Sequence, residues 1–233
     1  MHAGMLPIAD LIQMALMIVA IVFAVTLHEV AHGWTALRMG DPTAQSAGRL
    51  TLNPIRHLDP IGSVILPLAL KLTGSPMIFG YAKPVPIDPR NFRDFRKGTL
   101  VVSAAGVTAN MILCVLSGLM FKGAVMLGPS MYGTLLQPLL IGMLYLFGYS
   151  VIINAVLAIF NLITVPPLDG SRILALLLPK SLREPYLRLE RFGLLIIIGL
   201  LVSGVINRLF SITMSPILGL ALGRDGLAFL FAN

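Results

Sequence analysis

The chain has 233 residues, of which 57% are hydrophobic and only 12% are charged. A soluble domain carries about twice that charged fraction, so the composition excludes an ordinary soluble protein and indicates that most of the chain lies in lipid. The formal net charge of +7 comes from 17 Lys and Arg against 10 acidic residues. Because these basic residues lie in short loops beside apolar segments, the charge indicates a lipid bilayer as partner and argues against nucleic acid.

The first apolar segment covers residues 11–38 and contains the sequence HEVAH. Residues four apart lie on one face of a helix, so His28 and His32 can bind one zinc ion, with Glu29 close enough to act as general base toward water. The alternative is that these polar residues simply pair with each other inside the membrane. Ionisable residues within membrane helices are rare and usually functional, which favours a metal site.

The next part of the chain alternates turn-forming, apolar and basic stretches. Residues 48–52 predict a short strand, since the stretch is too short for a helix between its turn formers. Residues 61–70 are apolar but too short to cross a bilayer, so 60–82 is predicted to be a re-entrant or tilted segment. Residues 83–98 form a basic loop of the kind that stays in the cytoplasm.

Four apolar segments follow. Residues 99–121 carry no charge and are long enough to span the membrane. Gly128-Pro129 and Gly133 predict a break, after which a long helix covers 135–162. Residues 192–206 and 217–230 are the last two apolar segments, of which the second can lie at the membrane interface.

The predicted fold is an all-α polytopic membrane protein with five to six transmembrane or re-entrant segments and a short β or extended element near the active site. It is predicted to form a single domain over residues 1–233. Within that domain we place a catalytic core at about 8–178 and C-terminal helices at about 190–231.

Loop charge predicts the orientation of these segments. The loops at 38–60, 83–98 and 169–191 are basic, whereas the loop at 122–134 has only Lys122. Basic loops stay inside, so the first three are predicted to be cytoplasmic. The C-terminal ends of the first helix and of the 135–162 helix then lie on the same side, which places the zinc site toward the cytoplasmic face of the cell membrane.

The sequence NLITVPPLDG, residues 161–170, supplies a candidate third ligand. Pro166 and Pro167 stop the preceding helix, and non-helical backbone at membrane depth is tolerated only inside protein or beside water. A catalytic zinc ion takes three protein ligands, and Asp169 is the only acidic residue between Asp94 and Glu184. The alternative is that Asp169 caps a short helix over 171–178.

These two motifs resemble those of the site-2 protease family of intramembrane zinc metalloproteases. HEVAH is followed about 130 residues later by an Asn-x7-Asp-Gly signature, and GRLTLNP, GYAKPVP and AAGVTAN also resemble small bacterial members. The resemblance implies that His28, His32 and Asp169 bind one zinc ion per chain, that Glu29 activates water and that Asn161 helps to position substrate. It covers roughly residues 15–175 and implies a minimal member without a PDZ domain.

Two further residues are candidates for contact with substrate. In AAGVTAN, the spacing Gly106-x-x-x-Asn110 is typical of close helix packing, and the alternative is that Asn110 contacts the site or the substrate. In AKPVPID, Pro84 and Pro86 remove donors from one edge of an extended chain. The N–H groups on the other edge, that of Val85 among them, could bind an unwound substrate as an added strand; the alternative is a rigid connector.

The predicted function is hydrolysis of a peptide bond within or next to a transmembrane segment of a membrane protein, as in regulated intramembrane proteolysis. The predicted partners are therefore a transmembrane protein substrate and the lipid bilayer. One alternative is a membrane transporter or metal-handling protein with the same zinc ligands, which would not need Glu29. A catalytically inactive scaffold is the other, and it would not need zinc.

Overall fold

A computed structural model describes residues 8–65 and 82–231. These residues contain helices and turns without a β-strand, which confirms the predicted all-α class. The helices are α1 (Ile8–Met39), α2 (Thr43–Ser46), α3 (Phe95–Met131), α4 (Gln137–Leu162), α5 (Asp169–Leu177), α6 (Lys180–Leu187), α7 (Gly193–Val202) and α8 (Val205–Phe231). Short 3-10 turns lie at Pro54–His57, Pro89–Asn91 and Arg188–Phe192, and a π turn at Pro60–Ile65.

Four helices in the described part of the chain, α1, α3, α4 and α8, are long and apolar enough to cross a membrane. Helix α7 has only 10 residues, about half of what a membrane span needs, so the predicted segment at 192–206 does not span alone. Most of the predicted re-entrant segment at 60–82 lies outside the described residues. The multi-pass membrane architecture is confirmed.

The structure corrects two predicted boundaries. Helix α3 continues to Met131 with Pro129 inside its last turn, so the predicted break at Gly128-Pro129 is wrong. Pro129 lacks the N–H that would bond to Val125 O, but only two residues of the helix follow it, and the chain turns at Gly133, whose φ of +74° suits glycine. The predicted strand at 48–52 is also wrong, because the N–H of Arg49 donates to Ala44 O and closes α2 in a turn.

The chain divides into two compact units, the first formed by Met1–Ala24 and Val107–Asn233 and the second by Val25–Gly106. In the first unit, α4 and α8 pack extensively against each other. Gly148 permits their close approach, since a Cβ there would lie 2.6 Å from a methyl group of Leu230. The apolar core of this unit consists of Cys114, Phe121, Tyr145, Val151, Ala155, Leu222 and Leu230.

A buried polar network also crosses the first unit. The amide nitrogen of Asn110 donates to Oδ1 of Asn154 at 2.8 Å and to Ala24 O at 3.3 Å. Asn154 in turn donates to Ser150 O, and the hydroxyl of Ser150 pairs with that of Ser117 at 2.8 Å. These bonds link α1, α3 and α4 where apolar contacts alone would not fix their register.

The second unit combines the end of α1 with the start of α3 and the chain between them. Ala36, Phe92 and Val102 form its small apolar core. The N–H of Arg93 donates to Met39 O at 2.9 Å and ties the loop before α3 to the end of α1. This unit contains the HEVAH motif of α1. Gly106, the last residue of the unit, lies on α3 beside the two histidines of that motif.

Candidate metal centre

The two histidines of HEVAH lie one helical turn apart on α1, as the sequence predicts. Their exposed fractions are 7% and 6%, and their Nε2 atoms are 3.1 Å apart. The rings are nearly perpendicular, at 82°. Two buried imidazoles that direct the same nitrogen to one point form the core of a metal site.

A backbone carbonyl orients His32. Its Nδ1 lies 2.7 Å from Val102 O on α3. Because a carbonyl only accepts, Nδ1 carries the proton and donates, which leaves Nε2 as the unprotonated nitrogen that could bind a metal. This contact joins residues 70 apart in the chain, so motif spacing alone did not reveal it.

Gly106 allows α3 to approach the histidines closely. A Cβ at this position would lie 2.5 Å from Cε1 and 2.7 Å from Nδ1 of His28, and it would also overlap Nε2 of His32. Any side chain larger than hydrogen would therefore displace both rings. The AAGVTAN motif pointed to this glycine as a packing residue, and the structure identifies the histidines as its neighbours.

Glu29 is half-buried on the same helix, and its Oε2 accepts a hydrogen bond from the N–H of Val85 at 2.8 Å. The N–H of Lys83 donates to His57 O at 2.9 Å. Both N–H groups are therefore already bonded within the protein, and a substrate strand would have to replace these bonds; the proposed role of Val85 in binding substrate stays a prediction. Residues 82–88 form no strand ladder, because their backbone groups bond to side chains and turns instead.

Asp169 begins α5, after the turn that follows α4. The N-cap position belongs to Leu168, which makes no side-chain cap, so Asp169 does not occupy the N-cap position that the capping alternative requires. Gly170 lets α5 start against the end of α4, since a Cβ there would lie 2.6 Å from the carbonyl carbon of Leu162. The Pro166-Pro167 peptide bond in this turn is cis.

His28, His32 and Asp169 each offer a ligand atom, and these three atoms lie within 4.8 Å of one another. They are close enough for a metal site. Two imidazole nitrogens and one carboxylate oxygen form a donor set that zinc takes in catalytic sites, where a fourth position stays open. The residues present therefore fit a zinc ion.

The structure places the two candidate asparagines inside helices. Asn161, near the end of α4, is partly buried and donates to Leu157 O of its own helix at 3.0 Å. Asn110 is completely buried, and its amide bonds to Asn154 and Ala24. That burial favours the packing alternative for Asn110 over contact with a substrate.

Comparison with known proteins identifies similar zinc metalloproteases. Residues 128–204 match the model of peptidase family M50. The chain is 34% identical to "Putative zinc metalloprotease YwhC" of Bacillus subtilis over 94% of its own length and 92% of the relative. It is 28% identical to "Putative zinc metalloprotease Rip2" of Mycolicibacterium smegmatis over 84% of its length and 70% of the relative.

No solved structure matches the chain. The match to the Bacillus relative is nonetheless sufficient in identity and coverage to establish the family. The chain therefore belongs to peptidase family M50, the site-2 protease family.

Proposed function

We propose that this zinc metalloprotease hydrolyses a peptide bond within or next to a transmembrane segment of another membrane protein. The observation that carries the proposal is the pair of buried histidines of HEVAH on a helix that is itself apolar enough to span a membrane. A soluble metalloprotease would not need to place its ligands on such a helix. A peptide bond delivered to this site would have to come from within or close to the bilayer.

In this proposal His28, His32 and Asp169 hold one zinc ion, and Glu29 is the general base. Bound zinc supplies Lewis-acid polarisation of the scissile carbonyl and lowers the pKa of water toward about 7. Glu29 takes the proton from the attacking water and then passes it to the leaving amine. The Val102 carbonyl keeps the proton of His32 on Nδ1.

Substrate handling requires the target helix to open first, because the peptide groups of a helix are hydrogen-bonded internally and are closed to attack. We assign Asn161 to the positioning of the opened segment, as the family resemblance implies. Its amide nitrogen now bonds to Leu157 O, a bond that a substrate carbonyl can replace. The substrate class is therefore a transmembrane protein, as in regulated intramembrane proteolysis.

The proposed location is the cell membrane, with the zinc site toward its cytoplasmic side. The support is the charge of the loops, since basic residues cluster at 38–60, 83–98 and 169–191 and not at 122–134. Many apolar side chains of the long helices are exposed, such as Phe23 at 53% and Leu119 at 61%. These side chains are available for contact with lipid.

The test separates the zinc ligands from the base. Glu29→Gln should retain zinc and lose cleavage of a model transmembrane substrate, because the ligands hold the metal and Glu29 only transfers protons. His28→Ala, His32→Ala and Asp169→Ala should each lower the zinc content. Glu190→Gln is the matched control, with parental zinc content and cleavage. Full activity of Glu29→Gln would refute the proposal.

A further inference from the structure

The 82–88 segment places a backbone donor on the proposed general base. The N–H of Val85 lies 2.8 Å from Oε2 of Glu29. Val85 is only 6% exposed, so water has little access to compete for this bond. A hydrogen bond from a neutral N–H to a carboxylate is charge-assisted and roughly twice as strong as one between neutral groups. One oxygen of Glu29 is therefore held by the protein itself.

The side chain of Val85 contacts the same face of α1. Glu29 and Gly33 lie four residues apart and share that face. A Cβ at Gly33 would lie 2.6 Å from Cδ2 of Leu50, 2.9 Å from Cγ1 of Val85 and 3.1 Å from Cβ of Ala44. Valine is branched at Cβ and has little freedom to rotate away. The glycine thus creates the space in which Val85 sits with its N–H beside Glu29.

Bonds on the N-terminal side of Val85 hold the segment independently of Glu29. The N–H of Lys83 donates to His57 O at 2.9 Å. The guanidinium of Arg49, itself buried, donates to Lys83 O at 2.7 Å and to Pro84 O at 3.3 Å. Both the N–H and the carbonyl groups of the backbone just before Val85 are therefore hydrogen-bonded.

The C-terminal side is held by Asp41. This side chain is completely buried and accepts from the N–H of Asp88 at 2.7 Å and from Nδ2 of Asn91 at 2.9 Å. Between the two anchors, Pro86 restricts Val85 to an extended backbone. Anchors on both sides and a restricted dihedral angle mean that the Val85 donor is already oriented before substrate binds.

We propose that Val85 is a positioning residue for proteolysis, whose backbone N–H fixes Oε2 of Glu29 so that the other carboxylate oxygen handles the proton. This inference rests on the proposed function, in which Glu29 is the general base. Proton transfer needs heavy atoms about 2.6–3.2 Å apart, so a carboxylate free to rotate spends less time in the productive geometry. The donor acts on the chemical step and not on substrate affinity.

The kinetic test uses the full-length protein with bound zinc and a model transmembrane substrate. Val85→Pro deletes the N–H, keeps the backbone extended and places Cδ where the amide hydrogen was, so the Glu29 carboxylate loses its donor and must move away. We expect kcat to fall about tenfold to hundredfold, with KM and zinc content unchanged. Val85→Ala is the matched comparison, because it shortens the same side chain but keeps the N–H, so its kcat should fall clearly less than that of Val85→Pro. A raised KM with parental kcat, or equal losses in both variants, would overturn the inference.

Gly33 provides a test from the other side of the contact. Gly33→Ala should lower kcat because its Cβ pushes Val85 away from α1. The same Cβ would also lie 2.6 Å from Cδ2 of Leu50, so Leu50→Ala and Val85→Ala are added together, and the triple variant should recover most of the lost kcat. Failure of these two substitutions to restore kcat would contradict the proposed contact.

If Val85→Pro does not fold, nuclear magnetic resonance can test whether the Val85 N–H is bonded to Glu29. In 15N-valine-labelled protein, the Val85 amide resonance is the one that Val85→Ala removes. Glu29→Leu deletes the acceptor and should move that amide proton upfield and speed its exchange with solvent, whereas Glu190→Leu should do neither. An unchanged Val85 amide in Glu29→Leu overturns the inference. Full cleavage by Glu29→Gln would instead refute the proposed function, so the two failures are distinguishable.

Discussion

Replacing Gly106 with alanine should weaken zinc binding, because the added methyl group would occupy the space of the ligand rings. The new Cβ would lie 2.5 Å from Cε1 and 2.7 Å from Nδ1 of His28, and it would overlap Nε2 of His32. To restore an ordinary contact of about 3.4 Å, the His28 ring would have to move by about 0.9 Å. Metal–ligand distances tolerate only about 0.2 Å.

The expected magnitude is a loss of about tenfold to hundredfold in zinc affinity, the range found when the groups that orient metal ligands are removed. The assay is competition for zinc between the purified variant and a chromophoric chelator. Gly123→Ala is the control on the same helix, where nothing lies within 4 Å of the added Cβ, and alanine there should even stabilise the helix slightly. Parental zinc affinity in Gly106→Ala would refute the reasoning.

Three further predictions follow from other parts of the chain. Burial raises the pKa of Asp41, but hydrogen bonds from Thr43, Asn91 and Asp88 together lower it below 3.8. The stability that the Asp41 carboxylate contributes is therefore present above pH 3.8 and should be lost as the pH falls through the lower pKa of the folded state. The melting temperature of Asp41→Asn should accordingly change less with acid than that of the parent. Asn154→Leu should destabilise the first unit by about 1–2 kcal/mol, measured by denaturation in detergent, because it leaves Asn110 short of a partner; unchanged stability would contradict this role. With Cys114 replaced, a cysteine at position 93 should resist an impermeant thiol reagent applied outside the cell and one at position 132 should react; the reverse pattern would invert the topology.

Local periodicity was sufficient to predict that the two candidate ligands on α1 lie together. His28 and His32 are close because they are one helical turn apart, and that relation holds in any α-helix. Asp169 was predicted by a different route, since few other acidic residues lie in the second half of the chain. The long apolar segments were predictable for a similar reason, because lipid demands about 20 apolar residues per helix.

Contacts between distant residues could not be predicted. The bond from Val85 to Glu29 joins residues 56 apart, and no pattern in AKPVPID indicates which N–H groups would find partners. The same holds for the Val102 carbonyl beside His32. Gly33 and Gly106 did carry a signal, since glycine inside a helix costs about 1 kcal/mol relative to alanine and usually marks close packing. The signal identifies the position and not the neighbour.

Helix ends were the least predictable feature of the fold. Pro129 suggested a break at Gly128-Pro129, but the helix continues to Met131 although the proline lacks a backbone donor. Gly133 marks the true turn through its positive φ. Residues 48–52 contain strand-forming side chains, but the local bond from Arg49 to Ala44 closes a turn there.

Cleavage inside the membrane is the central claim, and one reconstituted reaction tests it most directly. Purified protein is combined in lipid vesicles with a single-span substrate, and the products are mapped by mass spectrometry with chelator, without chelator and after zinc is restored. We predict a cut within or next to the apolar span that chelator abolishes and zinc restores, and that Glu29→Gln does not make. Absence of any cut by the zinc-loaded protein, or cleavage that persists with chelator, would contradict the account.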